Sequence, residues 1–139
     1  MDLVARLRLV HEATLQRATG GEIAVSLESF FEGNDDPGSI GCNLGDSRPN
    51  VRMFYQLLRD LRSNPSVQDM WVRICDFGDP QSWPYSDAVY VVSSLTKSEI
   101  EDALLPLRFD SVTEGWMYGQ PPSVPEPREG FVPFSIWWD

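Results

Sequence analysis

The chain has 139 residues, 42% of them apolar and 23% charged, which suits a single α+β domain over residues 1–139 able to bury its own core and excludes an intrinsically disordered chain. Eleven Lys and Arg against 21 Asp and Glu leave a formal net charge of −10, and a field of that sign repels phosphate backbones and anionic bilayers, so nucleic acid and membrane are not expected partners. Two cysteines and one histidine predict reduced thiols, no metal site and no cofactor, and the lack of a leader-like or spanning apolar run predicts a cytoplasmic location.

Residues 2–18 predict an amphipathic helix with Leu3, Leu7, Val10, Thr14 and Ala18 on its apolar side and Val4 and Leu15 at the edge, the side such a helix turns to the core. Gly20 and Gly21 stop it. His11 projects near the border of that stripe, as a partly buried structural histidine or as a catalytic base. Ser26 caps a short helical turn through Leu27, Phe30 and Phe31 that Gly33 ends. From Gly33 to Asn50 the glycines, prolines, Asp and Asn predict a long loop, structural or functional.

Pro49 suits the start of a helix running to about Ser63, with Val51, Phe54, Leu58 and Leu61 on one side. Residues 67–77 alternate as a strand, and Ala88 to Ser93 is apolar on both faces, hence central in its sheet, with a hairpin joining the two. Thr96 and Glu99 have capping-box spacing, and Ile100, Ala103, Leu104 and Leu107 continue the helix until Pro106 ends or bends it. Residues 111–118 predict a strand weakened by Gly115, and Pro121 to Pro127 an extended connection. The closing strand contains Pro133, which predicts an edge position. The order α-α-α-β-β-α-β-β predicts a mostly antiparallel sheet of about four strands with helices packed on one face.

Three surfaces carry unusual chemistry. The acidic loop brings together Glu32, Asp35, Asp36 and Asp46, but it lacks the ligand spacing of a calcium loop, so it is a structural loop packed on arginines or an acidic surface for a basic protein partner. At about 100° per residue, Arg48, Arg52, Arg59 and Arg62 share the helix face opposite the apolar stripe. That face is solvated, paired with the chain's own carboxylates, or an anion site. Trp71, Tyr90, Trp116 and Trp137 could line a sheet face left open by the helices, as an interface or an apolar groove. No nucleophile has a base placed beside it, so no catalytic residue is assigned and catalysis is not the expected role.

Taken together, FFEGNDDPGSIGCNL at 30–44, SWPYSDAVYVVSS at 82–94 and the terminal SIWWD resemble a family of small stand-alone bacterial proteins of unassigned function, over most of the chain. That resemblance carries over no site residue. In size and acidity the chain is also similar to bacterial immunity proteins, which inhibit toxic enzymes by covering them. The function expected is an acidic protein-binding module of the inhibitor or immunity type, binding through Glu32, Asp35, Asp36, Asp46, Trp71, Trp116 and Trp137. The alternative is a small-molecule-binding protein or minor enzyme with a pocket beside Arg52 and Arg59. Nothing in the sequence sets the oligomeric state.

Overall fold

Six consecutive residues that are apolar or small, Ala88 to Ser93, are all buried and form the middle strand of the sheet. The computed structural model describes residues 1–139. Its strands are β1 (Ala24–Val25), β2 (Val67–Arg73), β3 (Ala88–Ser93), β4 (Ser111–Glu114) and β5 (Val132–Trp137), in the spatial order β1-β2-β3-β5-β4 with every pairing antiparallel. The α+β class therefore holds, with five strands in place of about four. The extra strand, β1, is two residues long, too short for an alternating pattern to announce it.

Four helices, α1 (Leu3–Thr19), α2 (Leu27–Phe31), α3 (Val51–Arg62) and α4 (Lys97–Leu104), pack on one face of that sheet. Phe30, Phe54, Leu58, Ile100 and Leu104 meet Met70, Val72, Val89, Val91, Phe134 and Ile136 in one apolar core. Local chemistry starts each helix, since Asp2, Ser26, Asn50 and Thr96 all accept hydrogen bonds from N–H groups in the first turn. At α4 the box is complete, with Glu99 reaching back to the Thr96 backbone.

Several sequence expectations change. The segment from Gly33 to Asn50 is a loop, as its composition predicts, but a packed one. Ser39 and Ile40 are buried, Ile40 bridges to Ser86, and Cys42–Ser47 forms a kinked 3-10 turn. The strand expected over 67–77 ends at Arg73, and the one expected over 111–118 ends at Glu114, where Gly115 takes φ 106° and leaves the pleat. β5 is not an edge strand, despite Pro133. Pro133 directs its carbonyl to Gly115 on the β4 side, and the last β4 register pair is Glu114 with Phe134. Its missing N–H thus falls beyond the end of β4 and removes no ladder bond.

The sheet's second face is covered, not open. After β4 the chain crosses it through Trp116, Pro121 and Val124, held by Ser123 to the Ala24 carbonyl at 3.1 Å and by Gln68 to Glu126 and Arg128 at 3.3 and 2.7 Å. Tyr90 is wholly buried beneath it, edge-on to Trp116 at 5.1 Å, while Trp71, Trp116 and Trp137 are each partly buried. The expected aromatic groove is filled by this Pro-rich segment.

The largest departure concerns α1. Its buried side is Arg6, Leu9 and Ala13, whereas Leu3, Val4, Leu7 and Leu15 are 56–66% exposed. Two polar anchors set this rotation. Arg6 donates to the carbonyls of Ser82 at 2.8 Å and Asp79 at 2.7 Å. Gln16 brackets Ala24, accepting from its N–H at 3.0 Å and donating to its carbonyl at 2.8 Å, which satisfies the outer edge of β1. Turning the apolar stripe inward would unpair the carbonyls of Ser82 and Asp79 and the N–H of Ala24, and leave the Ala24 carbonyl to Ser123 alone. His11 is consequently exposed.

Candidate functional site

The outward stripe of α1 lies beside a cleft of about 240 Å³ between α1 and α2, lined by Asp2, Arg8, Glu12, Glu28, Ser29 and Glu32 among others. Close approach of the two helices depends on Gly33. There φ is +80° and a Cβ would lie 2.8 and 2.9 Å from the Cβ atoms of Asp2 and Ala5. The Asp2 N–H reaches the Gly33 carbonyl across this junction at 3.4 Å. The cleft is therefore mainly acidic, with Arg8 its one basic residue, and Leu3, Val4, Leu7 and Leu15 do not line it.

Of the acidic residues expected to form a recognition surface, only Glu32 lines that cleft. It also accepts from the Tyr55 hydroxyl at 3.5 Å. Asp35 pairs with the Met1 amino group at 2.9 Å, and its pKa is lowered by that hydrogen bond. Asp36 accepts from the N–H groups of Gly38 at 2.9 Å and Trp83 at 3.2 Å, so it ties the loop to the segment before β3. Asp46 is exposed on the 3-10 turn. The structure does not gather these four into one patch.

The arginine face of α3 is also divided. Arg62 makes a two-point pair with Glu28 of α2 at 2.8 and 2.6 Å, which holds the Glu28 carboxyl below its ordinary range. Arg59 stacks over the Tyr55 ring at 4.5 Å, and Tyr55 in turn stacks on Phe31. Arg48 donates to the Cys42 carbonyl at 3.4 Å, and Arg52 is exposed. None of the three surface clefts is lined by Arg48, Arg52, Arg59 or Arg62.

One ionic cluster was not legible in the sequence. Arg73 at the end of β2 pairs with Glu22 at 2.6 Å and Asp87 at 2.7 Å, and the Tyr118 ring lies 3.6 Å from its guanidinium carbon. Burial works against its charge, but the bonds to Glu22 and Asp87 outweigh that and raise its pKa. Tyr118 completes the group by donating to Asp87 at 3.0 Å. Each of these four side chains meets another of the group, so the cluster fastens the crossing segment to the sheet. Nearby, Cys75 is exposed and donates its S–H to the Tyr85 carbonyl at 3.3 Å, while desolvation of the sulfur and the Asp87 charge raise its pKa. No group of three or more His, Cys, Asp or Glu side chains is arranged to hold a metal ion.

A family model described as the uncharacterized protein YfbO family matches residues 3–136. The chain is 30% identical over 116 residues, 83% of its own length and 81% of the relative's, to the uncharacterized protein YfbO of Escherichia coli strain K12. The chain therefore belongs to the YfbO family, which supports its resemblance to small bacterial proteins of unassigned function. No solved structure matches it. No helix is long and apolar enough to cross a membrane.

Proposed function

We propose that this member of the YfbO family is an acidic protein-binding module whose docking surface is the outer face of α1. The observation that carries this reading is the exposure of Leu3, Val4, Leu7 and Leu15 on one helix. A soluble monomer gains nothing from such a stripe, and contiguous apolar surface of this kind marks interaction sites. It is flanked by the acidic cleft of Asp2, Glu12, Glu28 and Glu32, and the whole chain carries a net charge of −10. A basic target, as an inhibitor or immunity-type protein would have, fits that charge.

The test is affinity capture from native lysate with the wild type and with Leu7→Glu, a substitution at an exposed site that leaves the core untouched. A protein retained by the wild type and lost from the variant supports the reading. Equal retention by both chains means that α1 is not the docking surface.

A further inference from the structure

We infer that the cleft between the C-terminal end of α1 and the chain leaving β2 binds a small zwitterion, a free α-amino acid, with its carboxylate on Arg17 and its ammonium group on Asp76. None of Leu3, Val4, Leu7 and Leu15 lines this cleft, so the inference stands apart from the docking role of α1.

The cleft holds about 270 Å³ and is lined by Arg17, Glu22, Arg73, Asp76 and Phe77 among others. That is just under the roughly 300–1,000 Å³ of pockets for drug-sized ligands, so it suits a smaller molecule. Its wall carries two arginines and two carboxylates, a balance of charge in a chain whose net charge is −10. Arg73 and Glu22 pair with each other at 2.6 Å. Arg17 and Asp76 are left over, one charge of each sign, and neither takes part in any of the chain's salt bridges.

Arg17 is held in the manner of a receptor. Its guanidinium carbon lies 4.4 Å from the centre of the Phe77 ring, and Phe77 itself packs against the core, so the ring is a fixed platform for the guanidinium plane. The side chain makes no hydrogen bond within the chain, although 21 carboxyl side chains could have supplied one. A planar fork with its donors unspent grips a carboxylate at two points with little further loss of freedom. Arg59 and Arg128 are also stacked on rings without an ion pair, but neither lines a cleft.

The opposite charge is held as well. Asp76 accepts from the Gly78 N–H through Oδ1 at 3.1 Å, which steadies the carboxylate and leaves Oδ2 without a partner. Glu22 likewise uses only Oε1 on Arg73. Two carboxylate oxygens thus remain for an ammonium group. A simple anion entering the cleft would meet Asp76 and Glu22 as well as Arg17, and a simple cation would meet Arg17. A molecule carrying one charge of each sign is the class that this wall does not repel.

Nuclear magnetic resonance titration of the nitrogen-15-labelled full chain with each standard amino acid tests this. At least one should shift the Arg17 Nε–H signal and the amide signals of Gly21 and Gly78, which also line the cleft, and should saturate with a dissociation constant in the millimolar range or below. Acetate and methylammonium, each carrying one of the two charges, should bind roughly tenfold more weakly or worse. Arg17→Gln and Asp76→Asn, both at exposed positions, should each weaken binding by roughly tenfold or more, because each removes a charge-assisted bond. Arg17→Lys should not restore it, since an ammonium group has no planar fork. Circular dichroism melts confirm that each variant is folded. The inference is overturned if no amino acid moves these signals at tens of millimolar, or if Arg17→Gln binds as the wild type does. Acetate binding as tightly as the best amino acid also overturns it, because the cleft would then be a plain anion site.

Discussion

Asp36 accepts a hydrogen bond from the backbone N–H of Trp83 at 3.2 Å, joining residues 47 positions apart. Trp83 is 1% exposed, so this N–H has no solvent to turn to. Replacing Asp36 with alanine should cost about 1–3 kcal/mol, the loss expected when a buried donor is left unpaired. Asp35→Ala, at an exposed neighbour, should leave the urea midpoint unchanged. Equal effects from the two substitutions would show that the loop is not fastened through Asp36.

The pair of Arg62 and Glu28 predicts a pH signature. The hydrogen bond from Arg62 lowers the Glu28 pKa from its ordinary 4.5, and burial, a lesser influence, opposes the shift. A carboxyl whose folded value is depressed stabilises the protein above its unfolded value, and loses that contribution as pH falls through the folded one. Arg62→Gln should therefore melt below the wild type at neutral pH, and the gap should close as pH drops from about 5 to about 3. Both side chains are at least one-third exposed, so the gap is modest. A gap that persists unchanged at pH 3 would assign Arg62 a packing role.

Adjacent tryptophans should differ sharply. Trp138 is 1% exposed, lies against Phe54 at 5.4 Å and donates its indole N–H to the Leu107 carbonyl at 2.8 Å. Trp138→Ala should cost about 3–5 kcal/mol. Trp137→Ala, on the opposite side of β5 and only partly buried, should cost less. Chemical denaturation of the two variants decides it, and the reverse order would mean that β5 presents its other face to the helices.

Tyr90 makes the opposite kind of prediction. It is wholly buried, its hydroxyl has no hydrogen-bond partner, and burial raises its pKa. Tyr90→Phe removes an unsatisfied polar atom while keeping the ring against Trp116, so the variant should be as stable as the wild type or up to about 2 kcal/mol more stable. A clear loss of stability would reveal a partner for the hydroxyl, such as a buried water.

Much of the fold was written in local pattern. The unbroken apolar run of β3, the T-x-x-E box of α4 and the alternation that sends Trp138 inward and Trp137 outward all concern a few neighbouring residues, and all hold. What failed depends on distant partners. The rotation of α1 is set by Arg6 meeting carbonyls at Asp79 and Ser82 and by Gln16 meeting Ala24. The stripe of Leu3, Leu7 and Val10 was visible, but which way it pointed was not. Apolar residues on the other side too, Leu9 and Ala13, were the one available sign that α1 had a second face to bury. The Arg73 cluster draws on residues 22, 73, 87 and 118, and no spacing rule links these positions. Likewise Pro133 correctly lacks a ladder N–H, but only the end of β4 shows why the strand beside it can still be interior.

The two outer strands of the sheet are β1, with two residues, and β4, with four. The first is capped by the amide of Gln16 and crossed by Ser123, both of which occupy backbone groups of Ala24. At that border little unpaired backbone is left for an incoming strand to template on, and at the other β4 offers only four residues, so the strongly apolar β3 is kept away from edge-to-edge polymerisation. Growth into cross-β fibrils would first require this border to unravel. The chain can thus display a greasy helix to its surroundings while its sheet stays closed to aggregation.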